Sequence, residues 1–175
     1  MDSIKQNLIP TFSPNIVVYH FRCQQAGEMR RRLLAVHPVV VGLSVRLSPT
    51  TCIVESIALA TSKEVFLLKL DGSESLDLVN ILDGFTLPVV AFGIAEVALH
   101  IFRCSRQHLR GVDLSTLLSP STNTPCQPFE VAWRLCSDVR KAEINQLWEG
   151  DAERGFREVC LRAWLSATHV SRPYF

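Results

Sequence analysis

Cysteine pairs at metal or redox spacing are missing from this 175-residue chain. Its six cysteines (Cys23, Cys52, Cys104, Cys126, Cys136, Cys160) form no CxxC and no Cys/His cluster, which excludes the usual zinc modules and a thioredoxin-type motif. In a reducing compartment such scattered thiols serve as small buried hydrophobes. Lysine is scarce, 4 against 14 arginines, and 18 basic residues nearly cancel 17 acidic ones to leave a net charge of +1. A molecule so balanced has no overall field to hold a polyanion, so any nucleic-acid site must be local. Long hydrophobic runs are absent too. The charge-free apolar stretches Leu33 to Val45 and Gly84 to Ala95 fall short of the roughly 18 residues of a membrane helix. The N-terminus, Met1-Asp2-Ser3-Ile4-Lys5, carries no apolar signal-peptide core, which predicts an intracellular protein, cytoplasmic or nuclear, with no membrane association. His20, His37, His100, His108 and His169 show no ligand spacing, and Ser44 has no evident His and Asp partners for a hydrolase triad.

What the chain does have is apolar mass. Apolar residues make up 47% and charged residues 20%, with a mean hydropathy of +0.18. A domain of this size buries roughly 70% of its unfolded surface, so a core is available and some apolar surface is left for an interface. Ile16 to Phe21 reads as a strand, rich in β-branched and aromatic types, and Gln25 to Val36 as a helix. Val39 to Leu47 is continuously apolar at first and then alternates, the pattern of a central strand whose end meets a cleft. Period two puts Ser44 and Arg46 on one face and Leu43, Val45 and Leu47 on the other.

Ile53 to Ala60 and Val65 to Leu70 predict two more strands, the second closed by Asp71-Gly72, with a short helix at 74–82. Pro88 to Phe92 reads as a short buried strand opening into a helix over Ile94 to His108, where Ile94, Val97, Ala98, Ile101 and Phe102 form one apolar stripe. Val112 to Leu114 predicts a short strand. Helices follow around Phe129 to Arg140 and, as a long terminal element, Phe156 to Ala167. Residues 1–14 read as a polar leader and 119–128 as the one long loop, with no repeat and no second domain. The order of elements predicts an α/β fold, a mixed sheet flanked by helices, in one domain spanning 1–175.

Three blocks in this order carry a family resemblance. Val39-Val40-Val41-Gly42-Leu43-Ser44-Val45-Arg46 is similar to a strand of pattern VVGLDxEW, and Ile57 to Leu68 to the two strands that follow it. Val89-Val90-Ala91-Phe92-Gly93-Ile94-Ala95-Glu96-Val97 is similar to a strand that ends in Gly and opens into an Asp-bearing helix. Leu147-Trp148-Glu149 and Glu158 to Ala163 are similar to a helix on which Tyr or His precedes the last Asp by four residues. Together they resemble the DEDD-type 3′-to-5′ exonuclease domain of RNase H-like fold, and more narrowly the small plant exonucleases similar to the Werner-syndrome exonuclease domain.

That resemblance implies a two-metal nuclease, in which divalent ions about 3.5 to 4 Å apart are held by carboxylate oxygens. In this sequence Ser44 stands at the first Asp, Arg46 at the Glu, Val97 at the second Asp, Glu158 at the Tyr or His, and Arg162 at the last Asp. All four family carboxylates are replaced. Moving the second block by one residue brings in Glu96, but turns a helix by about 100° and restores none of the others. The expectation is a catalytically inactive exonuclease-like domain that binds single-stranded RNA or DNA or serves in assembly, with no metal and no cofactor. Two alternatives stand beside it. One is an active exonuclease taking Mg²⁺ or Mn²⁺ through Glu55, Glu96, Asp113 and Glu158. The other is a scaffold or inhibitor that co-assembles with active exonuclease paralogues. The plant relatives imply ring-shaped homo-oligomers and a link to small-RNA silencing.

The replacements also suggest a geometry. Arg46 and Arg162 would bring guanidinium groups to the old metal cleft, tied to Glu158, one turn before Arg162 on the helix, and to Glu55; the competing reading is solvated surface residues at an unused site. Two basic clusters, Arg30-Arg31-Arg32 and Arg103, Arg106 and Arg110, are the candidates for phosphate contacts; the competing reading is the solvated face of a helix. Trp148 suits packing of the terminal helix better than base stacking, and Asp113 suits a cap or turn.

Overall fold

The computed structural model describes residues 3–5, 16–70, 81, 86–119, 124–135, 142 and 155–171. Its elements run β1 (Ser3–Lys5), β2 (Val17–Arg22), a 3-10 turn (Cys23–Gln25), α1 (Ala26–Ala35), β3 (Val41–Leu47), β4 (Val54–Ala60) and β5 (Glu64–Lys69). They continue with β6 (Val89–Ala91), α2 (Ile94–Ser105), β7 (Gly111–Asp113), α3 (Leu114–Leu117), α4 (Pro128–Leu135) and α5 (Gly155–Ser171). The strands form one mixed sheet in the order β1-β2-β5-β4-β3-β6-β7. β3, β4 and β5 pair antiparallel, while β2 joins β5, β6 joins β3 and β7 joins β6 in parallel. This is the α/β architecture expected from the sequence.

The period-two pattern divides the core into two sides. Val18, Ala58, Ala60, Val65 and Leu67 pack with Val159, Ala163, Trp164 and Ala167 of α5. Their strand neighbours Phe21, Leu43, Ile57, Leu59, Phe66 and Leu68 pack on the other side with Met29 and Leu33 of α1 and Val97 and Ile101 of α2. Ile81, helical and fully buried, joins the second cluster; the rest of the helix expected over 74–82 lies outside the described residues, as do Cys136, Arg140 and Trp148.

Several boundaries differ from the sequence reading, each for a local reason. β3 begins at Val41 rather than Val39, because His37 takes a left-handed turn (φ 49°) behind α1 and leaves Val39 86% exposed. α2 stops at Ser105 rather than His108. There Arg106 adopts φ 59° and donates its N–H to Phe102, while the Ser105 hydroxyl donates back to the Ile101 carbonyl and accepts from Gln107. The strand expected over 112–114 ends at Asp113, whose side chain caps the one-turn α3. Ser3 to Lys5, read as part of a polar leader, adds an edge strand antiparallel to β2; so short a strand is chosen by the free sheet edge and has no pattern of its own. Within the 119–128 segment, Cys126 is buried and donates its N–H to Ser115. Pro128 then opens α4, with Glu130 accepting from the Gln127 N–H at 2.7 Å.

Gly42 sets the distance between sheet and helix. A Cβ built there would overlap the Ala163 carbonyl oxygen and lie 2.8 Å from the Ala167 nitrogen, both backbone atoms of α5. Gly27 on α1 has no atom within 4 Å of such a carbon. Gly42→Ala is therefore expected to lose about 1–3 kcal/mol in urea unfolding, whereas Gly27→Ala keeps or raises stability.

Candidate functional site

The register across the sheet stacks side chains into rows beneath α5. Gly42 aligns with Ala60 and Val65, and Ser44 with Ala58, Leu67 and His20. Arg46 aligns with Ser56, Lys69 and Arg22. Small residues in the first two rows let the helix backbone approach, and the third row lies where β3, β5 and β2 end. Ser44 is 5% exposed, sealed in the middle of this face.

Arg46 is held from two directions. Its Nε lies 3.4 Å from Oε2 of Glu55, and its guanidinium sits 5.0 Å from the centroid of the Phe156 ring. Lys69 Nζ approaches the same ring at 5.7 Å. Phe156, in the first turn of α5, thus ties the helix to two cations of the sheet, contacts worth about 0.5–1 kcal/mol each. Farther along the helix, Glu158 and Arg162 close an ion pair of 2.6 Å. Both pairs expected from the sequence, Arg46 with Glu55 and Arg162 with Glu158, are present. Trp164 Nε1 donates to the Ser62 carbonyl at 3.1 Å and anchors α5 to the β4–β5 turn.

Val97 does not join this group. It is buried in the cluster of α1, α2 and the opposite side of the sheet. Glu96 beside it is exposed and reaches His100 at 3.9 Å. Asp113 does the structural work of a cap. Its Oδ1 accepts from Ser115 N at 2.9 Å and from Gly93 N at 3.1 Å, and the Ser115 hydroxyl accepts from the same Gly93 N–H. This holds Gly93 at φ 63° where β6 turns into α2. Glu55, Glu96, Asp113 and Glu158 each have a partner of their own, and among the described residues no three His, Cys, Asp or Glu side chains converge to hold a metal ion.

The candidate phosphate-binding arginines lie on the α1 and α2 side, away from α5. Arg31, Arg103, Arg106 and Arg110 are exposed and Arg30 is half-buried. Arg32 bridges Glu28 at 3.3 Å and covers the Tyr19 ring at 5.6 Å, while Arg106 covers Phe102 at 5.6 Å. The row that joins Lys69 and Arg22, with Phe156 of α5 against it, was not legible as a site in the sequence, because these residues are far apart and only the strand register and the seating of α5 unite them. The basic residue ending each of two strands is the signal that could have found it.

The chain has the RNase H-like α/β fold of exonuclease domains. It superposes on the Nibbler exonuclease domain of Aedes aegypti with a TM-score of 0.59 at 15% identity, covering 86% of this chain and 84% of that one. A structure of the EXD2 exonuclease domain soaked in Mg gives a TM-score of 0.49 at 17% identity, over 82% of this chain and 86% of the other. No protein-family model matches the sequence, and no curated protein matches it. Among the described residues no helix is long and apolar enough to cross a membrane.

The thiols on the α5 side are chemically quiet. Burial pushes Cys160 from its ordinary 9.0 up to about 12, and burial followed by a hydrogen bond to Glu130 raises Cys126. In the unfolded chain the Cys160 thiol ionises first, so its contribution is intact below pH 9.0 and is lost as pH rises towards about 12. Cys160→Ser is expected to flatten the fall in urea-unfolding stability as pH rises past 9.0.

Proposed function

We propose that this is a catalytically inactive 3′-to-5′ exonuclease-like domain that acts as a nucleic-acid-binding module in RNA or DNA metabolism. The observation that carries the reading is the pair of arginines at family carboxylate positions, Arg46 and Arg162, each tied to its own glutamate. A guanidinium offers no lone pair to a divalent ion, and its repulsion, about 8 kcal/mol at roughly 4 Å and an effective dielectric near 20, offsets the attraction of the glutamate beside it, whereas the family chemistry requires carboxylate ligands there. Val97 supplies no ligand atom, and Ser44 is a neutral hydroxyl in place of a carboxylate. The phosphate contacts in this reading come from the opposite side of the sheet, where Arg31, Arg103, Arg106 and Arg110 are exposed.

The test is incubation of end-labelled single-stranded RNA and DNA with the protein and Mn²⁺ or Mg²⁺. The expected result is retention without shortening, with affinity falling as salt rises. Arg103→Ala and Arg31→Ala are each expected to reduce the salt slope by about 1. Metal-dependent shortening by the unaltered chain, lost in Glu158→Gln, would establish the active alternative instead.

A further inference from the structure

Arg22 and Lys69 are direct register partners on the parallel strands β2 and β5, both exposed. Among the described residues neither meets a carboxylate within 4.0 Å, in contrast to Arg46, which pairs with Glu55. Like charges side by side on adjacent strands repel, and this pair lines a cavity of about 550 Å³ together with His20, Gln24, Gln25 and Phe156. Gln25 is oriented by the Arg22 N–H, which donates to its Oε1 at 3.0 Å, so its amide NH₂ remains to donate. Lys69 rests against Phe156 at the wall of the cavity.

We propose that this cavity is a phosphomonoester site, in which Arg22 and Lys69 together neutralise the dianion and Phe156 walls the organic group attached to it. Paired cations of different shape, a planar fork and a point charge, suit a tetrahedral dianion with several acceptor oxygens. The cavity is much larger than a phosphate and falls within the roughly 300–1,000 Å³ of small-molecule pockets, leaving room for a nucleoside. The site is distinct from the arginines of α1 and α2 and does not need them. A free nucleoside monophosphate and the terminal phosphate of a single strand present the same chemistry to it.

Calorimetric titration with inorganic phosphate, adenosine monophosphate, adenosine, and a short single-stranded RNA with and without a 5′-phosphate tests the proposal. The monophosphate is expected to bind saturably and adenosine about tenfold more weakly or worse. Arg22→Ala and Lys69→Met are each expected to weaken the monophosphate by about tenfold, while substitution of the exposed α4 arginine, Arg134→Ala, leaves it unchanged. Preference for the phosphorylated strand identifies a strand end as a source of the group, and its absence with retained monophosphate binding identifies the free nucleotide. Removing one of two repelling cations should leave the ligand-free melting temperature of Lys69→Met level or higher, which separates lost binding from lost fold. Equal binding of adenosine and its monophosphate, or binding indifferent to both substitutions, overturns the proposal. RNA retention that persists without monophosphate binding overturns it while leaving the nucleic-acid reading standing.

Discussion

The backbone of α5 lies directly on β3 at Gly42, with the Ala163 carbonyl and the Ala167 nitrogen where a side chain would otherwise be. Everything on this side of the sheet follows from that approach. Ala58 and Ala60 on β4 keep the floor low, Ala163 and Ala167 keep the helix flat against it, and all four are fully buried. With one end of the helix seated so closely, its first turn reaches the ends of β3 and β5, and Phe156 comes to rest against Arg46 and Lys69. Close packing of this kind is intolerant of added volume because neither backbone can retreat without disturbing a ladder or a helix turn.

The electrostatics of the same face are those of a basic surface rather than an acidic one. Arg46 and Arg162 have Glu55 and Glu158 within ion-pair distance, at positions open enough to solvent that each pair is worth little on its own. Each pair is neutral overall, and its consequence lies in the ligand set: a guanidinium has no lone pair to offer a divalent cation where a carboxylate would. Farther along the row Arg22 and Lys69 carry positive charge that no acid offsets among the described residues. On the opposite side of the sheet, α1 and α2 present a separate set of arginines, two of them resting on aromatic rings. Stacking on a ring positions a guanidinium while leaving its edge donors available.

Much of the architecture could be read from residue pattern. The continuous apolar run of β3 marked a strand covered on both faces, and the alternation after it placed Ser44 and Arg46 on a shared face, where they are found. The 3.6 period of α2 and α5 located both helices. Where boundaries slipped, at His37, Arg106 and Asp113, the cause was a single residue in a left-handed or capping conformation, and such conformations depend on hydrogen bonds that a periodic pattern does not record. β1 was invisible for the same kind of reason, since an edge strand of three residues is recruited by the free groups of β2.

By itself the sequence determined the α/β class, the two-sided burial of the central strands and the placing of Ser44 and Arg46 on one face, because these depend on local periodicity and residue type. Only the tertiary structure decided that Val97 belongs to the opposite core, that Arg46 finds Glu55 and Phe156, and that Arg22 stands beside Lys69 over a cavity. Those neighbours come from strands and helices distant in the chain, and the order and register of a mixed sheet are set by packing of the whole rather than by any one segment.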